Sequence, residues 1–330
     1  MKWISPFRLA RLGMLSMNRR NVDYIARYND RASYPLVDNK LRTKLLAADY
    51  GVATPGLKQV IRLQHDIPRF REQADQLGSF AIKPAKGSGG KGIVVITGRD
   101  GDRFLKGSGN AVDLAFLERH LSNILAGLYS LGGSPDVAIV EDLIECSPQL
   151  NEQSFEGVPD IRIVVFQGYP VMAMLRLASH ASDGKANLHQ GAIGVGLDIG
   201  TGSALHAVQF NRTVHTHPDT GLPLNRLSIP DWRTLLLMAS RCYDATGLGY
   251  MGADMVIDAT DGPMLLELNA RPGLAIQMAN GQGLLPRLRH IEALRRPHLT
   301  AEERVDYAMG RFGAPLMSPA NPEPEPVSSP

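Results

Sequence analysis

Residues 80–97, FAIKPAKGSGGKGIVVIT, place a loop rich in glycine and lysine between two short apolar runs. Both runs contain β-branched residues and are too short for helices, so they predict two β-strands. We call the connecting residues 85–93 the glycine loop. Walker phosphate loops and dinucleotide fingerprints both run from a strand into a helix. This strand-to-strand arrangement therefore argues against both of those motifs.

The composition of the glycine loop suits an anion. Glycine permits positive φ angles and close approach, so successive backbone amides can surround an anionic group. Lys83, on the preceding strand, can place its charge against phosphate oxygens. A tight surface hairpin with solubilising lysines would have a similar sequence, so the loop alone leaves both interpretations open.

Length and composition limit the class of protein. The chain has 330 residues and 44% hydrophobic content, which is enough for a substantial core in one large domain or two moderate ones. Its formal net charge of +2 gives no global electrostatic reason to expect a nucleic-acid partner. The two cysteines, Cys146 and Cys242, indicate no disulfide framework, and this fits a cytoplasmic location.

The two ends of the chain differ from its middle. Residues 1–36 form a basic, partly apolar extension, in which arginines interrupt any signal-peptide pattern. We expect either a helix packed on the domain or an amphipathic helix that contacts an anionic membrane surface or an acidic partner. Residues 297–330 predict a helix and then, from about Phe312, a disordered tail rich in proline.

Hydrophobic periodicity predicts the order of the elements. After the two strands that flank the glycine loop, a buried strand is expected within residues 136–145. The other predicted elements are helices at 38–49, 111–132 and 232–247, a hairpin over 160–179 that turns at 168–170, loops with one or two short strands over 183–225, and a hairpin over 250–274. This mixture of hairpins and helices predicts an α+β fold.

The second hairpin carries candidate metal ligands. Glu267 and Asn269 are two residues apart on one strand and therefore project from one face, and Asp254 lies on the partner strand. Three oxygen ligands without imidazole or thiolate suit Mg²⁺ held jointly with phosphate oxygens, and Mn²⁺ is also compatible. An ordinary solvated strand face is the alternative interpretation.

The first hairpin carries candidate cationic groups. Arg162 and Arg176 lie on facing strands, where guanidinium groups can form forks for a phosphate or a carboxylate. Such forks can stabilise negative charge that develops during a transfer reaction. Salt bridges to Asp160 or Glu141 at the surface are the alternative.

Taken in order, these segments resemble the ATP-grasp superfamily, and within it the glutamate-ligase-like branch that includes the ribosomal-protein glutamate ligases. The similarity covers about residues 37–288. The segment NARPGL with the following AIQMANGQGL also resembles ATP-grasp proteins of cell-surface polysaccharide pathways. The matching segments are DNKLRTKLLAADYGVATP, FAIKPAKGSGGKGIVVI, AIVEDLIE, DIRIVVF, NLHQGAIGVG, GADMVI and LLELNARPGL.

The resemblance implies an ATP-grasp fold, in which two α+β subdomains grip ATP between them. Residues 37–145 would form the small subdomain with its glycine lid and adenine hinge, and residues 146–296 the large catalytic subdomain. Residues implied to contact ATP are Lys44, Lys83, Gly87, Ser88, Gly89, Gly90, Lys91, Gly92, Glu141, Asp142 and Leu143. Implied metal ligands are Asp254, Glu267 and Asn269, and implied catalytic residues are Arg162, Arg176, Asn187 and Arg271.

The activity that the resemblance implies is ATP-dependent carboxylate–amine ligation. The γ-phosphate of ATP activates a carboxylate as an acylphosphate, and an amine attacks to form an amide, releasing ADP and phosphate. Glutamate or another acidic amino acid is the expected substrate, joined to a small molecule or a peptide, and a homo-oligomer is compatible with this activity. The alternative is a phosphotransferase or an ATP-binding protein of a polysaccharide pathway.

Overall fold

Two antiparallel sheets organise the chain, and the glycine loop connects neighbouring strands of the smaller one. The computed structural model describes residues 5–87, 89–295 and 297–313. The strands are β1 (Leu57–Ile61), β2 (Phe80–Pro84), β3 (Val94–Asp100), β4 (Arg103–Lys106), β5 (Ala111–Val112), β6 (Ala138–Glu141), β7 (Asp160–Phe166), β8 (Tyr169–Leu177), β9 (Ile193–Leu197), β10 (Ala204–Gln209), β11 (Arg212–Thr213), β12 (Tyr250–Asp258) and β13 (Gly262–Asn269).

Helices cover these sheets and connect them. The α-helices are α1 (Pro6–Arg11), α2 (Met17–Arg19), α3 (Ala26–Tyr28), α4 (Lys40–Asp49), α5 (Ile67–Ala74), α6 (Leu114–Leu125), α7 (Pro148–Asn151), α8 (Trp232–Thr246), α9 (Ile276–Ala279), α10 (Leu285–Glu292) and α11 (Ala301–Phe312). A π-helical segment, Arg20–Ile25, joins α2 to α3. Within the described ranges, no helix is both long enough and apolar enough to cross a bilayer.

The smaller sheet has the strand order β1-β6-β2-β3-β4-β5. Strands β2 and β3 pair antiparallel, with Phe80 opposite Ile96, so the predicted strand–loop–strand arrangement is confirmed. Helices α5 and α6 bury Phe70 and Leu117 in a core that also contains Phe80. Because this core holds both strands that flank the glycine loop, the ends of the loop have fixed positions.

The larger sheet has the order β11-β10-β9-β8-β7-β12-β13. Both predicted hairpins are confirmed, as β7–β8 and β12–β13, and the predicted helix at 232–247 is confirmed as α8. Helix α8 packs on β7 and β8, and α11 packs on β8 and α8. The predicted boundary between residues 145 and 146 falls between β6 and β7, and it stays a prediction.

Two glycines leave room on one face of the larger sheet. Gly252 lies two positions before Asp254 on β12, and a Cβ atom there would lie 2.8 Å from the Cβ of Pro272. Gly196 on β9 allows the backbone of Ala279 to approach, and an added Cβ would collide with the carbonyl oxygen of that residue. The chain that follows β13 therefore folds back closely over the face that carries Asp254.

Helix α6 is shorter than predicted at both ends. Residues 111 and 112 form β5, and the side chain of Asp113 caps the helix by accepting a hydrogen bond from the Phe116 N–H. The helix ends before Gly127, which has a φ of 83°, instead of at Gly132. A Cβ atom at Gly127 would collide with the carbonyl of Ser134. The apolar pattern runs past both ends because Val112 and Tyr129 also pack against the core.

The segment 183–225 contains three strands, β9 to β11, where the sequence predicts one or two. Strand β9, IGVGL, is buried along its whole length, so it lacks the alternation that marks a half-exposed strand. The turn of the β7–β8 hairpin also differs from the prediction. It lies at Gln167 and Gly168, which have φ angles of 48° and 81°, and Tyr169 and Pro170 already belong to β8.

The N-terminal segment packs on the larger sheet from Leu15 onward. The Gln277 side chain accepts a hydrogen bond from the Leu15 N–H at 2.7 Å and donates one to the Leu15 carbonyl at 3.0 Å. Tyr24 is buried edge-on against Phe166, with ring centroids 5.5 Å apart. At the other end, α11 extends to Phe312, and the predicted disordered tail lies outside the described residues from position 314 onward.

We expect Gly196→Ala to lower the free energy of unfolding by about 1–3 kcal/mol, because its Cβ would overlap the backbone of Ala279 and Asn280. Gly98→Ala on β3 is the matched control, since a Cβ there meets nothing within 4 Å. Chemical denaturation of the two variants measures the difference. Equal unfolding free energies would contradict close packing over β9.

Candidate functional site

A cavity of about 580 Å³ lies where α4, the glycine loop and the end of β13 meet. Its wall is formed by residues 37–40 and Arg42 around the start of α4, by Lys86, Gly87 and Gly89, and by residues 267–271. A volume of this size is typical of a small-molecule site. The cavity thus brings together the glycine loop and two of the predicted metal ligands, Glu267 and Asn269.

The cavity wall carries more positive than negative charge. Its cationic side chains are Lys40, Arg42, Lys86 and Arg271, and its acidic side chains are Asp38 and Glu267. The first turn of α4 also faces the cavity, with Asn39 as its cap. Because a helix N-terminus carries partial positive charge, it adds to this excess. The cavity therefore favours a ligand with several negative charges.

Lys40 is a site residue that the sequence analysis missed. Its Nζ donates a hydrogen bond to the Gly87 carbonyl oxygen at 2.6 Å and lies 3.4 Å from Oε2 of Glu267. It therefore connects α4 to both the glycine loop and strand β13. The available signal was spacing, because Lys40 precedes Lys44 by four residues and shares its face of the helix.

Lys44, Lys83 and Glu141 meet in a separate, narrow crevice of about 10 Å³. The Glu141 carboxylate, 2% exposed, lies between the two ammonium groups: Lys44 Nζ is 3.1 Å from Oε2, and Lys83 Nζ contacts Oε1. Burial lowers the pKa of Lys44, and the charge of Glu141 opposes this shift. A phosphate group would therefore compete with Glu141 for both lysines.

Part of the predicted hinge, residues 141–143, already forms contacts within the protein. The Asp142 N–H donates to the carbonyl oxygen of Gly56 at 2.8 Å, and the Asp142 carboxylate lies 2.6 Å from Nζ of Lys58. The Asp142 amide is therefore not available to a ligand in this arrangement. Leu143 follows it and is half-buried.

The glycine loop is held at both ends and exposed at its tip. Gly89 and Gly90, with φ angles of 63° and 75°, have open space around them. Gly92 has a φ of 78°, and a Cβ there would lie 2.5 Å from the Tyr129 ring. Its carbonyl oxygen lies 2.9 Å from Nε2 of His120 on α6. Ser88 lies outside the described residues, and Lys91 is exposed.

At the start of the loop, Gly87 is buried and forms a β-bridge with Ser130. It needs glycine because of space and not because of a positive φ, since an added Cβ would collide with the Pro84 ring. With both ends held, only the tip can approach a ligand in the cavity.

The three predicted metal ligands converge on one sheet face. Asp254 pairs with Glu267 across β12 and β13. The Asn269 side-chain amide Nδ2 lies 3.2 Å from Oδ2 of Asp254 and 3.4 Å from Oε1 of Glu267. Rotation of this amide would turn its oxygen toward the carboxylates and let a cation replace the N–H group. Carboxylate and amide oxygens are the ligands that Mg²⁺ prefers.

Asp254 differs from the other two ligands because it is 1% exposed and already paired. Arg162 binds it through two hydrogen bonds of 2.7 and 2.5 Å, and Nη2 of Arg176 lies 2.9 Å from Oδ2. Burial would raise the pKa of Asp254, but the attraction of the two arginines outweighs burial and lowers the pKa to about 2. Glu267 and Asn269 are therefore the accessible pair, and Asp254 as a direct ligand stays a prediction.

Arg162 and Arg176 are not the open forks that the sequence analysis describes. Arg176 pairs through Nε and Nη2 with Asp160, with a 3.0 Å distance from Nε to Oδ1. Burial raises the pKa of Asp160 to about 6, in opposition to the attraction of Arg176. The four side chains Asp160, Arg176, Asp254 and Arg162 thus form a buried charge network without net charge. The sequence analysis named a surface salt bridge with Asp160 as the alternative role of Arg176. Arg176 does form a salt bridge with Asp160, but in the protein interior.

The remaining two predicted catalytic residues lie in different places. Arg271 is exposed, lines the cavity and holds its guanidinium 4.9 Å from the ring centroid of Tyr34. Asn187 lies on the loop before β9, where its Oδ1 accepts a hydrogen bond from the His189 N–H at 3.0 Å. The structure therefore brings Arg271 to the cavity and gives Asn187 a local capping contact.

Comparisons with solved structures return distant similarities. The ATP-grasp ligase PsnB, complexed with minimal precursor, is 15% identical, with a TM-score of 0.42 over 79% of this chain and 60% of PsnB, so this chain spans about three fifths of that protein. D-alanyl-alanine synthetase A from Vibrio cholerae is 11% identical, with a TM-score of 0.47 over 86% of this chain and 67% of that one. D-alanine–D-alanine ligase from Bacillus anthracis, complexed with ATP, is 15% identical, with a TM-score of 0.42 over 86% and 68%.

A comparison with protein families identifies the family of this chain. No curated protein matches the chain. A family model described as sugar-transfer associated ATP-grasp matches residues 19–293. The predicted α+β ATP-grasp fold is confirmed, while the glutamate-ligase-like branch stays a prediction. Because the matched region covers most of the sequence, the chain belongs to the sugar-transfer associated ATP-grasp family.

Proposed function

We propose that this protein is an ATP-dependent carboxylate–amine ligase that releases ADP and phosphate. The observation that supports this proposal best is the cavity in which the glycine loop, an excess of cationic side chains and the Glu267–Asn269 pair face one another. Phosphoryl transfer depends on positioning, cations and electrostatic stabilisation more than on a covalent nucleophile of the protein. The cavity offers this combination.

In the proposed complex, the phosphates of ATP lie between the glycine loop and the start of α4. Lys40 would exchange its contact with Glu267 for phosphate oxygens, and Lys83 and Lys44 would be shared between phosphate and Glu141. The exposed amides of Gly89 and Gly90 would close over the phosphates. The adenine would lie beside residues 141–143, in a crevice that must widen, since it now holds about 10 Å³.

Glu267 and Asn269 would hold Mg²⁺, or Mn²⁺, together with phosphate oxygens. The donor set supports this assignment, because the Asn269 amide lies 3.2 Å from the Asp254 carboxylate and 3.4 Å from the Glu267 carboxylate, and a hard cation can replace these contacts. When bound, the cation would neutralise charge on the phosphates and orient them. The release of Glu267 from Lys40 makes a carboxylate available for it.

The proposed reaction has two steps. A carboxylate oxygen of the donor attacks the γ-phosphorus, the bond from this phosphorus to the β–γ bridging oxygen breaks, and ADP leaves. The amine nitrogen then attacks the acyl carbon, loses a proton and displaces phosphate, which forms the amide. Arg271, exposed in the cavity wall, would stabilise the negative charge on the transferred group, while Arg162 and Arg176 would act through their hold on Asp254.

An acidic amino acid, with glutamate as the first candidate, is the proposed donor, because a basic cavity wall suits a second carboxylate. The description of the matched family supports a second candidate function, a phosphotransferase or an ATP-binding protein associated with sugar transfer. The two functions differ in their products. The first yields an amide, and the second yields a phosphorylated molecule or none.

We expect Lys40→Ala and Lys83→Ala each to weaken ATP binding by roughly 10- to 100-fold, because a charged hydrogen bond to phosphate contributes about 1.5–3 kcal/mol. Lys106→Ala, on β4 away from the cavity wall, is the control and should bind as the wild type does. Calorimetric titration with ATP measures the affinities. Unchanged binding by Lys40→Ala would remove this residue from the phosphate site.

Variants of the predicted metal ligands on β12 and β13 distinguish an effect on ligand binding from an effect on stability. Glu267→Gln should raise the Mg²⁺ concentration needed for half-maximal turnover and leave the unfolding free energy nearly unchanged, since the side chain is 35% exposed. Asp254→Asn should lower the unfolding free energy by about 3–5 kcal/mol, because it leaves Arg162 and Arg176 buried without their shared counter-charge. Urea denaturation without nucleotide gives the comparison, and equal losses in both variants would contradict these distinct roles.

The product identifies the reaction. Purified protein with ATP and Mg²⁺ is incubated with a panel of amino acids, with and without peptide, amino-acid and amino-sugar acceptors. Phosphate release and product mass are followed together. We expect phosphate release that depends on both a carboxylate and an amine, with a mass that corresponds to loss of water between them. A phosphorylated product, or phosphate release without condensation, would favour the alternative function.

A further inference from the structure

None of the α1 side chains whose exposure the structure describes is buried. Every side chain from Phe7 to Leu12 is exposed, with Phe7 at 82% and Leu12 at 56%. Ser5 caps the helix, but helices shorter than about 12 residues are marginal in water without tertiary packing. Tertiary packing of side chains therefore contributes little to α1, and contact with an external surface would stabilise it.

The exposed apolar side chains continue beyond this helix. Met17 is 65% exposed and Val22 is 67% exposed. Single exposed apolar residues are normal on a protein surface, whereas a contiguous exposed apolar patch indicates a contact site. The exposed apolar residues of this segment lie close together in the chain. We call Phe7, Arg8, Arg11, Leu12, Met17 and Val22 the N-terminal surface.

The N-terminal surface lies in a basic part of the sequence. Residues 1–36 contain seven basic and two acidic residues, although the whole chain has 35 basic and 33 acidic residues. The remainder of the chain is therefore slightly acidic. In α1, Arg8 and Arg11 alternate with Phe7 and Leu9. This combination suits a partner that offers both negative charge and an apolar interior.

The N-terminal surface is firmly attached to the chain near the candidate site. Gln277 binds both backbone groups of Leu15, and Nη1 of Arg20 donates to the Pro272 carbonyl oxygen at 2.9 Å. Pro272 follows Arg271, which lines the cavity. A contact at the N-terminal surface would therefore fix the position of this end of the cavity relative to the partner.

We propose that the N-terminal surface binds an anionic lipid bilayer. The apolar side chains enter the boundary between headgroups and acyl chains, and the arginines contact lipid phosphates. A nucleic acid or an acidic protein would account for the arginines but not for the exposed apolar side chains. A second copy of the chain in a symmetric contact would bring two basic segments together, which opposes association.

Sedimentation of the full chain with lipid vesicles tests this proposal. One set of vesicles contains phosphatidylcholine alone, and in the other about one lipid in four is phosphatidylglycerol. The test variants are Phe7→Ser with Leu12→Ser and, separately, Arg8→Glu with Arg11→Glu. The matched controls replace other exposed residues of the same kinds: Leu63→Ser with Leu128→Ser, and Arg62→Glu with Arg69→Glu.

We expect the wild-type protein and both controls to sediment with the anionic vesicles and to be released as salt rises from about 0.1 to about 0.5 M. Each test variant should bind at least about tenfold more weakly. Because the changed side chains are exposed, circular dichroism and thermal unfolding should not change. Wild-type protein that stays in the supernatant, or test variants that bind as the controls do, would overturn the proposal.

A measurement of self-association tests whether the N-terminal surface instead binds a second copy of the chain. If analytical ultracentrifugation shows a dimer that the Phe7→Ser, Leu12→Ser variant loses, and vesicles do not bind, the N-terminal surface is an interface between copies and the lipid proposal is wrong. This test does not use ATP or an acceptor, so its result is independent of the ligase assay.

Discussion

The Asp254 carboxylate lies between the guanidinium groups of Arg162 and Arg176, and the polar face of the larger sheet depends on this buried contact. Transfer of an ion from water into a protein interior costs several kcal/mol, so each of these groups is tolerated only because the others neutralise it. Asp160 completes the neutralisation through Arg176. Charged residues can therefore occupy the central strands β7, β8 and β12 beside the pair Glu267 and Asn269.

Pairing of opposite charges also determines how the rest of the site can respond to a ligand. Lys44 and Lys83 share the single carboxylate of Glu141, and Lys40 lies between Glu267 and the Gly87 carbonyl. A polyphosphate with its cation would offer new partners to both members of the Lys40–Glu267 pair. Ligand binding under the proposed function is thus an exchange of ionic contacts, which favours a ligand that carries both charges over one that carries a single charge.

The local features of the fold were predictable because each has a pattern within a short stretch. The strands beside the glycine loop, the two hairpins and helix α8 follow from β-branched runs, turns and helical spacing. The helix predicted over 111–132 is present as α6, but its C-terminal end is wrong because the chain turns at Gly127, where a Cβ atom would collide with the carbonyl of Ser134, and periodicity contains no information about that close approach. The position of strand β9 was not predicted, because a strand that is buried on both faces lacks the alternation of apolar and polar residues.

For the site, the sequence alone determined which chemical groups are present and which of them share a strand or a helix. The spacing of Glu267 and Asn269 places them on one face, and this follows from the two-residue period of a strand. Only the tertiary structure decided which groups meet. It placed Lys40 at the cavity, engaged Arg162 and Arg176 with Asp254, and left α1 exposed. An ionic contact between residues far apart in the chain depends on their separation in space and on their burial. Both are determined only when separate elements pack together.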